Sequence, residues 1–422
     1  MRVTRLHVQN YRGFEELDLV LDPEVTVLVG VNGAGKTSIL DAIAGLLTQL
    51  TERICGRDPK PALTTSDVRV GAPYASTSID VAVDSSTSAS WRETVGVPGF
   101  PLLRPPRSFD EAARGIVNKA QASMESGEPT LPLAVYFPTN RAALDIPERI
   151  RKPHVFDPVS AYDGALEGGA SNFRGFFEWF RQEEDLLNEE LARAEDRENG
   201  SAGTTFTSRL PIVRHAIEKL FPDGENLRIE RRPQRMTISL RGTTIDVASL
   251  SDGEKCLLAM TGDLARRMVL AAPTAANPLE HSAVVLIDEI ELHLHPGLQR
   301  TILPRLREVF PKTQFIVSTH SPQVLSSVHA KNVRLIRDFK LQPVLRSTWH
   351  RDTNMILEGV FDDPGRPEEV AIKLNELRDA IDDDDFDRAR TLIAELRSRI
   401  EGEDPDVELL ADLVPPEEDV AE

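Results

Sequence analysis

The chain has 422 residues, of which 40% are hydrophobic and 28% are charged, as is ordinary for a soluble globular protein with a large core. Its formal net charge of −19 argues against a general coat of basic, nucleic-acid-binding residues, although it allows a local basic groove. Two cysteines, Cys55 and Cys256, match no disulfide framework and no zinc spacing. No apolar run has the length of a signal peptide or a membrane span, so we expect a cytoplasmic protein.

The amino-terminal part predicts a phosphate-binding loop between a strand and a helix. Alternating apolar residues over 3–21 indicate a β-hairpin, and an apolar strand follows at 25–29. That strand leads into Gly30-Val31-Asn32-Gly33-Ala34-Gly35-Lys36-Thr37, which has the pattern G-x-x-x-x-G-K-T, and helical spacing comes next. Glycine lets such a loop bring its amides close to phosphate oxygens. We expect Lys36 to reach the β- and γ-phosphates and the Thr37 hydroxyl to bind Mg²⁺.

The middle of the chain predicts further strands and then a helical insertion. Short alternating strands occupy residues 65–100, and a buried strand at 131–137 ends in Pro138-Thr139-Asn140-Arg141. Aromatic and leucine residues at helical spacing then form one stripe, which is more often core than a partner surface. Its members are Phe173, Phe177, Phe180, Leu187 and Leu191. A second helix near 210–220 and short strands over 227–240 complete the insertion.

A marked helix amino terminus follows the insertion. In the stretch 250–255, Ser251 and Glu254 form an S-x-x-E capping box ahead of helically spaced leucines. A well-capped helix without a further role is one interpretation. A helix amino terminus with exposed amides and a hydroxyl also binds anions, and the phosphate-binding loop elsewhere in the chain favours this second interpretation. Ser251 and Gly253 are therefore candidate nucleotide contacts.

Two later strands end in polar residues that suit phosphate chemistry. The apolar run at 283–287 is typical of a strand buried on both faces, and Asp288 and Glu289 follow it. The acidic pair alone could be a solvated turn. Beside a phosphate-binding loop, it predicts that Asp288 helps to hold Mg²⁺ and that Glu289 polarises the attacking water. A helix is predicted over 298–310, and His320 ends the apolar strand that follows it, where we expect a γ-phosphate contact. With Lys36, Glu289 and His320 form the predicted catalytic set.

The carboxyl-terminal part predicts a helical hairpin. Apolar residues recur at helical spacing over 370–381 and 386–400, with four aspartates, Asp382 to Asp385, in a solvated turn between them. The predicted parts of the chain are an amino-terminal half with the phosphate-binding loop (1–145), a helical and β insertion (146–244), a second half with the remaining motifs (245–345), a helical partner-docking region (346–414) and an acidic, disordered tail (415–422).

The order of these motifs resembles the ATP-binding-cassette (ABC) ATPases, in their soluble branch of RecF, SMC and OLD-like proteins. The opening LHVQNYRGFEELDLVL is similar to RecF-type starts, the signature is LSDGEK rather than LSGGQ, and the acidic pair continues as EIELHLHP. The resemblance implies an α/β P-loop ATPase head with a mixed sheet, flanking helices and an antiparallel β-lobe, to which a helical insertion and a carboxyl-terminal hairpin are added. The Gln-loop of these proteins has no obvious counterpart, although Asn140 and Arg141 stand at a suitable place.

The same resemblance implies a site for ATP and Mg²⁺ that two subunits share, with the signature Ser251 of one copy contacting the nucleotide held by the other. The implied metal-binding residues are Thr37 and Asp288. The implied nucleotide contacts are Arg12, Gly30, Asn32, Gly33, Ala34, Gly35, Lys36, Thr37, Ser38, Ser251 and Gly253.

A closer resemblance joins most of the chain to the ATPase subunits of Septu antiphage systems (PtuA-like) and to retron-associated ATPases. It depends on segments such as PLAVYFPTNR, FFEWFRQEEDLLNEE and QFIVSTHSPQVLS. Members of that group act beside an HNH endonuclease. The resemblance therefore implies an ATP-hydrolysing subunit that forms a dimer, or a dimer of dimers, around ATP and controls such a nuclease.

Other functions stay open. One is a RecF-like ATPase of DNA repair, and another is a scaffold that binds ATP, turns it over slowly and responds by dimerising. A transporter motor is disfavoured because no membrane segment is predicted. A nuclease domain after His320 is disfavoured because the hundred residues that follow are mainly helical. Basic clusters at 149–152 and 231–235 could contact nucleic acid, or be surface charge alone.

Overall fold

The structure is a computed structural model that describes residues 1–84, 86–99, 104–139, 155–167, 173–195, 208–221, 223–344, 348–351, 353–361, 366–402 and 404–415. The chain forms two compact units, Met1–His350 and Arg351–Glu422. Asn140, Arg141, the basic cluster at 149–152 and the tail from 416 lie outside the described residues.

The first unit contains fourteen described strands and eight described α-helices. The amino-terminal elements are β1 (Arg2–Tyr11), β2 (Phe14–Val20), β3 (Val25–Val29), α1 (Lys36–Ile54), β4 (Tyr74–Ala82), β5 (Ser88–Gly96), β6 (Ser108–Phe109), α2 (Glu111–Glu125) and β7 (Leu133–Phe137). They are followed by α3 (Phe173–Glu195), α4 (Leu210–Leu220), β8 (Gly224–Arg231), β9 (Gln234–Leu240), β10 (Thr243–Asp246), α5 (Asp252–Ala271), β11 (Ala283–Ile287), α6 (Pro296–Gln299), α7 (Ile302–Val309), β12 (Gln314–Thr319), α8 (Pro322–Leu325), β13 (Val333–Arg337) and β14 (Lys340–Gln342). Short 3-10 helices lie at Thr65–Asp67, Pro158–Tyr162, Val247–Ser249, Pro278–Glu280 and Ala330–Asn332.

The central sheet has the strand order β14-β13-β3-β12-β11-β7. Its neighbouring strands are parallel, apart from the antiparallel pair β13 and β14. Every residue of β3, β7, β11 and β12 is buried, as their unbroken apolar sequences require. Ile287 pairs with Val317, and Thr319 pairs with Val29. The carboxyl ends of β3, β11 and β12 therefore meet at one edge of the sheet.

A second, antiparallel sheet forms the β-lobe, in the order β2-β1-β4-β5-β6. The predicted hairpin is confirmed, because Tyr11 pairs with Phe14 and the intervening Arg12 has a φ of 50°. Trp91 of β5 donates from Nε1 to the carbonyl oxygen of Leu46 in α1 at 2.8 Å. The lobe is thereby joined to the helix that begins at the phosphate-binding loop. Mixed sheet, flanking helices and β-lobe confirm the predicted α/β head.

The insertion packs against α5. Phe173, Phe177 and Phe180 of α3 are fully buried, which confirms that the aromatic stripe is core, whereas Leu191 at its far end is 44% exposed. A Cβ added at Gly262 of α5 would lie 2.6 Å from the ring of Phe176, so glycine permits the close approach of the two helices. Strands β8, β9 and β10 form a separate three-stranded sheet beside α4.

One predicted helix of the first unit is broken in two. The apolar spacing over 298–310 indicated a single helix, but the structure has α6 and α7 with a break after Gln299. Pro304 explains the break, because it has no N–H to donate to the carbonyl of Arg300 and its ring would collide with that carbonyl in a continuous helix.

The second unit is helical. Its elements are α9 (Thr353–Ile356), a π-helical turn at Leu357–Phe361, α10 (Glu368–Asp382), α11 (Phe386–Arg399) and α12 (Pro405–Ala411). The predicted hairpin of α10 and α11 is confirmed, and α12, which was not predicted, adds Val407 to its apolar core. The carboxylate of Asp385 accepts a hydrogen bond from the Arg388 N–H at 3.2 Å, so the acidic turn caps α11. Within the described residues, no group of three or more potential metal ligands is assembled, and no helix is long and apolar enough to cross a membrane.

Candidate nucleotide-binding site

The phosphate-binding loop joins β3 to α1, as the sequence predicts. Gly33 and Gly35 have φ values of 79° and 104°, a region that favours glycine. A Cβ at Gly30 would lie 2.2 Å from the carbonyl oxygen of Ile336, so the backbone of β13 excludes any side chain there. These three glycines therefore fix the course of the loop. Of the other predicted contacts, Asn32 is exposed and Ala34 is buried.

Lys36 is buried at the start of α1 and turns back over the loop. Its Nζ donates to the carbonyl oxygens of Gly30 at 2.9 Å and Val31 at 3.2 Å. Burial lowers the pKa of the Lys36 ammonium, and the carboxylates of Asp288, Glu289 and Glu291 oppose that shift. The loop thus holds a desolvated cation whose hydrogen-bond acceptors are neutral carbonyls. A negatively charged phosphate oxygen would stabilise this cation better than the carbonyls do.

Thr37, Asp288 and Ser318 form one hydrogen-bonded chain across the ends of α1, β11 and β12. The Thr37 hydroxyl donates to Oδ2 of Asp288 at 2.8 Å, and the Ser318 hydroxyl donates to Oδ1 at 2.5 Å. Asp288 is 2% exposed, so this buried carboxylate receives donors at both oxygens. A hydroxyl beside a buried carboxylate next to a phosphate-binding loop is an oxygen donor set that suits Mg²⁺. The two predicted metal-binding residues, Thr37 and Asp288, are thus in direct contact.

The backbone of Glu289 takes a left-handed conformation, with a φ of 46°. This conformation is uncommon for a residue with a side chain, and the surrounding hydrogen bonds must hold it. The Glu289 N–H donates to the Ser318 hydroxyl at 2.8 Å, and the Ile290 N–H donates to the Ser318 carbonyl at 3.1 Å. Ser318 therefore fixes both members of the acidic pair, through the Asp288 side chain and the Glu289 backbone.

His320 follows β12 and is held through its backbone by Glu291. Oε1 of Glu291 accepts from the His320 N–H at 2.5 Å, and Oε2 accepts from the Thr319 hydroxyl at 2.7 Å. Burial lowers the pKa of the half-buried imidazole, Lys36 lowers it further, and the carboxylates of Glu289 and Asp288 act in the opposite direction. His320 therefore shares one electrostatic environment with Lys36 and the acidic pair.

Arg12 of the β-lobe hairpin lies against the first turns of α1. Its guanidinium donates to Asp41 at 2.6 Å, to Asp67 at 3.1 Å and, at 3.4 Å, to the hydroxyl of Ser38. The Tyr136 hydroxyl reaches the other Asp41 oxygen at 3.1 Å. The structure thus brings together Arg12 and Ser38, both predicted nucleotide contacts, on the β-lobe side of the loop.

The signature segment starts α5, and its predicted capping box is confirmed. The Ser251 hydroxyl accepts from the Glu254 N–H at 3.4 Å, while a Glu254 carboxylate oxygen accepts from the Ser251 N–H at 2.9 Å. A Cβ at Gly253 would lie 2.1 Å from the carbonyl oxygen of His293, so only glycine fits against the turn that follows the acidic pair. Ser251 is exposed, and in the described part of the chain its side-chain hydrogen bonds go to Glu254 and not to the phosphate-binding loop.

Four residues of this region were not among the sequence-based candidates. Ser318 and Glu291 fix the acidic pair and His320, and Asp41 and Asp67 hold Arg12. The serine and the glutamate stand within two residues of predicted site residues, so their position in the motifs is a usable signal. Nothing in the sequence pairs Asp41 or Asp67 with Arg12, because those contacts depend on how the β-lobe folds over α1.

A glycine-rich loop with a buried lysine, an acidic pair at the strand ends and this mixed sheet define a P-loop ATPase head of the ABC type. A family model described as "AAA domain" matches residues 5–223, and a second AAA-domain model matches residues 138–326. The chain is 30% identical to the "Retron Ec83 probable ATPase" of Escherichia coli over 434 aligned residues, which cover 87% of this chain and 78% of that protein. The chain therefore belongs to this AAA/ABC-type family of ATPases that includes the retron Ec83 protein.

Two other similarities are narrower. The chain is 32% identical to "Septu protein PtuA" of Bacillus mycoides over 110 residues, which cover 26% of this chain and 15% of that protein. Among solved structures, an Smc head bound to the C-terminal winged-helix domain of ScpA aligns with a TM-score of 0.48 and 16% identity, over 82% of this chain and 98% of that one.

Proposed function

We propose that this protein hydrolyses ATP with Mg²⁺ at a site that two copies complete together. The observation that carries the proposal is the hydrogen-bonded chain from Thr37 through Asp288 and Ser318 to the backbone of Glu289. This hydrogen-bonded chain lies beside the phosphate-binding loop and joins a candidate metal-binding pair to the backbone of a candidate base through one buried and two part-buried hydrogen bonds.

The roles of the residues follow from their places around the loop. The amides of Gly30 to Thr37 bind the phosphates, and Lys36 exchanges its carbonyl partners for phosphate oxygens. Thr37 and Asp288 hold Mg²⁺, which supplies positive charge to the phosphates. Glu289 accepts a proton from the water whose oxygen attacks the γ-phosphorus, the bond from that phosphorus to the β-phosphate bridging oxygen breaks, and ADP and phosphate leave. His320 contacts the γ-phosphate.

The signature segment supports a shared site. Ser251 is exposed at the amino terminus of a 20-residue helix, a place that favours an anion. Its own chain's phosphate-binding loop receives none of its hydrogen bonds. A second copy related by a two-fold axis gives both loops a signature segment, and the product is a dimer, which can pair further into a dimer of dimers.

We further propose that the ATPase works in antiphage defence in the cytoplasm, with an HNH endonuclease as its partner and nucleic acid as the material on which the complex acts. The proposal comes from the similarity to the retron and Septu proteins. In this arrangement, ATP-dependent assembly of the head controls the nuclease.

The second unit is the proposed docking site for that nuclease. The residues from Arg351 onward include 24 acidic and 8 basic side chains, so this unit carries −16 of the chain's formal net charge of −19. Such charge repels nucleic acid and attracts a basic protein surface, which a nuclease needs in order to bind phosphates. Leu409 of α12 and Leu413, two residues beyond the end of that helix, are 65% and 60% exposed and offer apolar contacts.

The test of the ATPase proposal combines turnover with the mass of the assembly. Wild type and Glu289→Gln are compared by phosphate release and by light scattering, with and without ATP and Mg²⁺. We expect the wild type to hydrolyse ATP, and the variant to lose at least about 100-fold in kcat while it accumulates as an ATP-bound dimer. If both proteins bind ATP, hydrolyse none and assemble identically, the slow scaffold is the correct function instead.

Docking is tested in the full-length chain with Leu409→Ser and Leu413→Ser together. We expect the pair to abolish co-purification with the proposed HNH nuclease partner and to leave ATP turnover unchanged. Val70→Ser, at a residue that is 98% exposed in the first unit, is the matched control. Unchanged capture of the nuclease by the double variant would reject this surface.

A further inference from the structure

Glu291 links two strands whose ends form the site. It lies two residues after Glu289, in a compact turn in which the Leu292 N–H donates to the Glu289 carbonyl and the Leu294 N–H to the Glu291 carbonyl, both at 2.9 Å. Its side chain leaves this turn and reaches across to the end of β12. There, as described above, its two carboxylate oxygens accept from Thr319 and from the backbone of His320.

The two hydrogen bonds that the Glu291 carboxylate accepts form a clamp. This clamp lies where the backbone pairing between β12 and β3 ends. Thr319 is the last residue of β12 paired with β3. The next amide, that of His320, therefore takes its acceptor from a side chain and not from a strand. The Thr319 hydroxyl, while it donates to Glu291, also accepts from the Ser321 N–H at 3.0 Å. One carboxylate thus organises three consecutive residues around His320.

We propose that Glu291 is a positioning residue for the ATPase reaction. Its carboxylate sets the backbone of His320, and hence the place of the imidazole relative to the base Glu289. The inference rests on the proposed function, in which His320 contacts the γ-phosphate. Glu291 itself touches no reacting atom. Displacing a contact group by about 1 Å slows an enzyme by about 100-fold, so loss of the clamp slows turnover more than it weakens ATP binding.

The kinetic test uses Glu291→Ala and Glu291→Gln in the full-length chain. Alanine removes both acceptors. Glutamine keeps an oxygen for the His320 N–H and presents an NH₂ group to the Thr319 hydroxyl, which can rotate to accept from it. We expect alanine to lower kcat by about 10- to 100-fold with KM for ATP changed by less than about 3-fold, and glutamine to restore most of kcat. Glu308→Ala, at an exposed glutamate of α7, is the control.

A double-mutant cycle separates positioning from a general structural role. If Glu291 acts through His320, Glu291→Ala added to His320→Ala changes kcat by less than about 2-fold. An equal loss of kcat in both backgrounds would overturn the proposal. A glutamine variant as slow as the alanine variant would also overturn it, because the negative charge beside Lys36 would then be the relevant property.

Amide hydrogen exchange tests the clamp without any turnover. In the ATP-free protein, we expect the amide of His320 to exchange at least about 10-fold faster in Glu291→Ala than in the wild type or in Glu291→Gln. Unchanged exchange in the alanine variant rejects the clamp. If the wild type hydrolyses no ATP, the proposed function fails, and the exchange rates still decide whether Glu291 fixes the backbone of His320.

Discussion

The phosphate-binding half and the signature half of the proposed site are built in opposite ways. In the first, Lys36, Asp288 and Ser318 are buried, and hydrogen bonds from three different elements hold them. In the second, Ser251 is exposed and bonds within its own capping box. The first half is assembled inside one chain, whereas the second is only presented at the surface.

This difference in construction predicts that the phosphate-binding half determines the affinity for ATP, whereas the signature half affects the rate of hydrolysis. Because the loop, its lysine and the acidic pair come from one sheet edge of a single chain, we expect a single copy to bind ATP. In the proposed dimer, the signature segment would gain a phosphate contact only when a second copy arrives. From the proposed dimer we expect ATP binding to precede dimerisation, hydrolysis to follow it, and each half to be open to impairment without the other.

The strongest test of this comparison is complementation between two inactive variants. Lys36→Ala removes the buried cation of the phosphate-binding half, and Ser251→Arg blocks the signature half with a bulky cation at an exposed position. Each variant alone is expected to lose at least about 100-fold in ATP turnover. A 1:1 mixture regains about a quarter of the wild-type rate, since half of the dimers are mixed and each holds one intact site. Phosphate release measures the recovery, and a mixture as inactive as its components would contradict a shared site.

Ser318→Ala tests the phosphate-binding half, and the expected effect on ATP turnover is smaller. It removes a donor to the buried Asp288 carboxylate and the acceptor of the part-buried Glu289 N–H, at a cost of about 1–3 kcal/mol in the free energy of unfolding. We expect kcat to fall by about 10- to 100-fold and the Kd for ATP to change by less than about 3-fold.

The matched control for Ser318→Ala is Ser282→Ala. Ser282 bonds to the amino terminus at the opposite end of β11, where the Met1 ammonium donates to its hydroxyl at 3.0 Å. It is expected to leave kcat unchanged. Stopped-flow turnover and ATP titration measure the two quantities, and equal kcat losses in both variants would show that sheet stability and not the network is responsible.

The sequence predicts the residues of the phosphate-binding half more completely than it predicts the residues that hold them in place. The loop pattern, the strand before it and the acidic pair are local, so Lys36, Thr37 and Asp288 could be assigned roles without knowing the sheet order. Ser318 and Glu291 act across neighbouring strands, and which strands are neighbours depends on the strand order β3-β12-β11 and its register. Sequence spacing gives neither.

The helices show the same limit. The capping box at Ser251 depends on two residues three positions apart, and it was predicted correctly. The break between α6 and α7 was missed because apolar spacing continues through it, although Pro304 gave a usable signal. Helix α12 was missed because seven residues are too few to show a helical period, and it is stable only by packing Val407 into the second unit.

Glu254→Ala is expected to destabilise the signature half slightly. The carboxylate of Glu254 accepts the Ser251 N–H, and losing this part of the cap lowers the free energy of unfolding by about 0.5–2 kcal/mol. Because the cap is local, the Kd for ATP of a single copy is expected to stay unchanged while dimer-dependent turnover falls. Thermal unfolding and ATP titration test this pair of outcomes, and weaker ATP binding by the variant would connect the two halves within one chain.

The smallest effect that we expect is a pH dependence of stability, and it arises in the phosphate-binding half. The pKa of His320 lies below its ordinary value of 6.5, because burial and Lys36 disfavour the imidazolium. Between the folded and unfolded pKa values the unfolded chain binds more protons, so stability is complete above the ordinary value and is lost as the pH falls through the folded pKa. Between about pH 7.5 and about pH 5.5, we expect the Tm of ATP-free wild type to fall more than that of His320→Gln. His215→Gln, which removes a histidine from α4, is the matched control. If the Tm of His320→Gln changes with pH as the Tm of the wild type does, Lys36 does not lower the pKa of the imidazole. Solvent then screens the buried charges of the phosphate-binding half more than its geometry indicates.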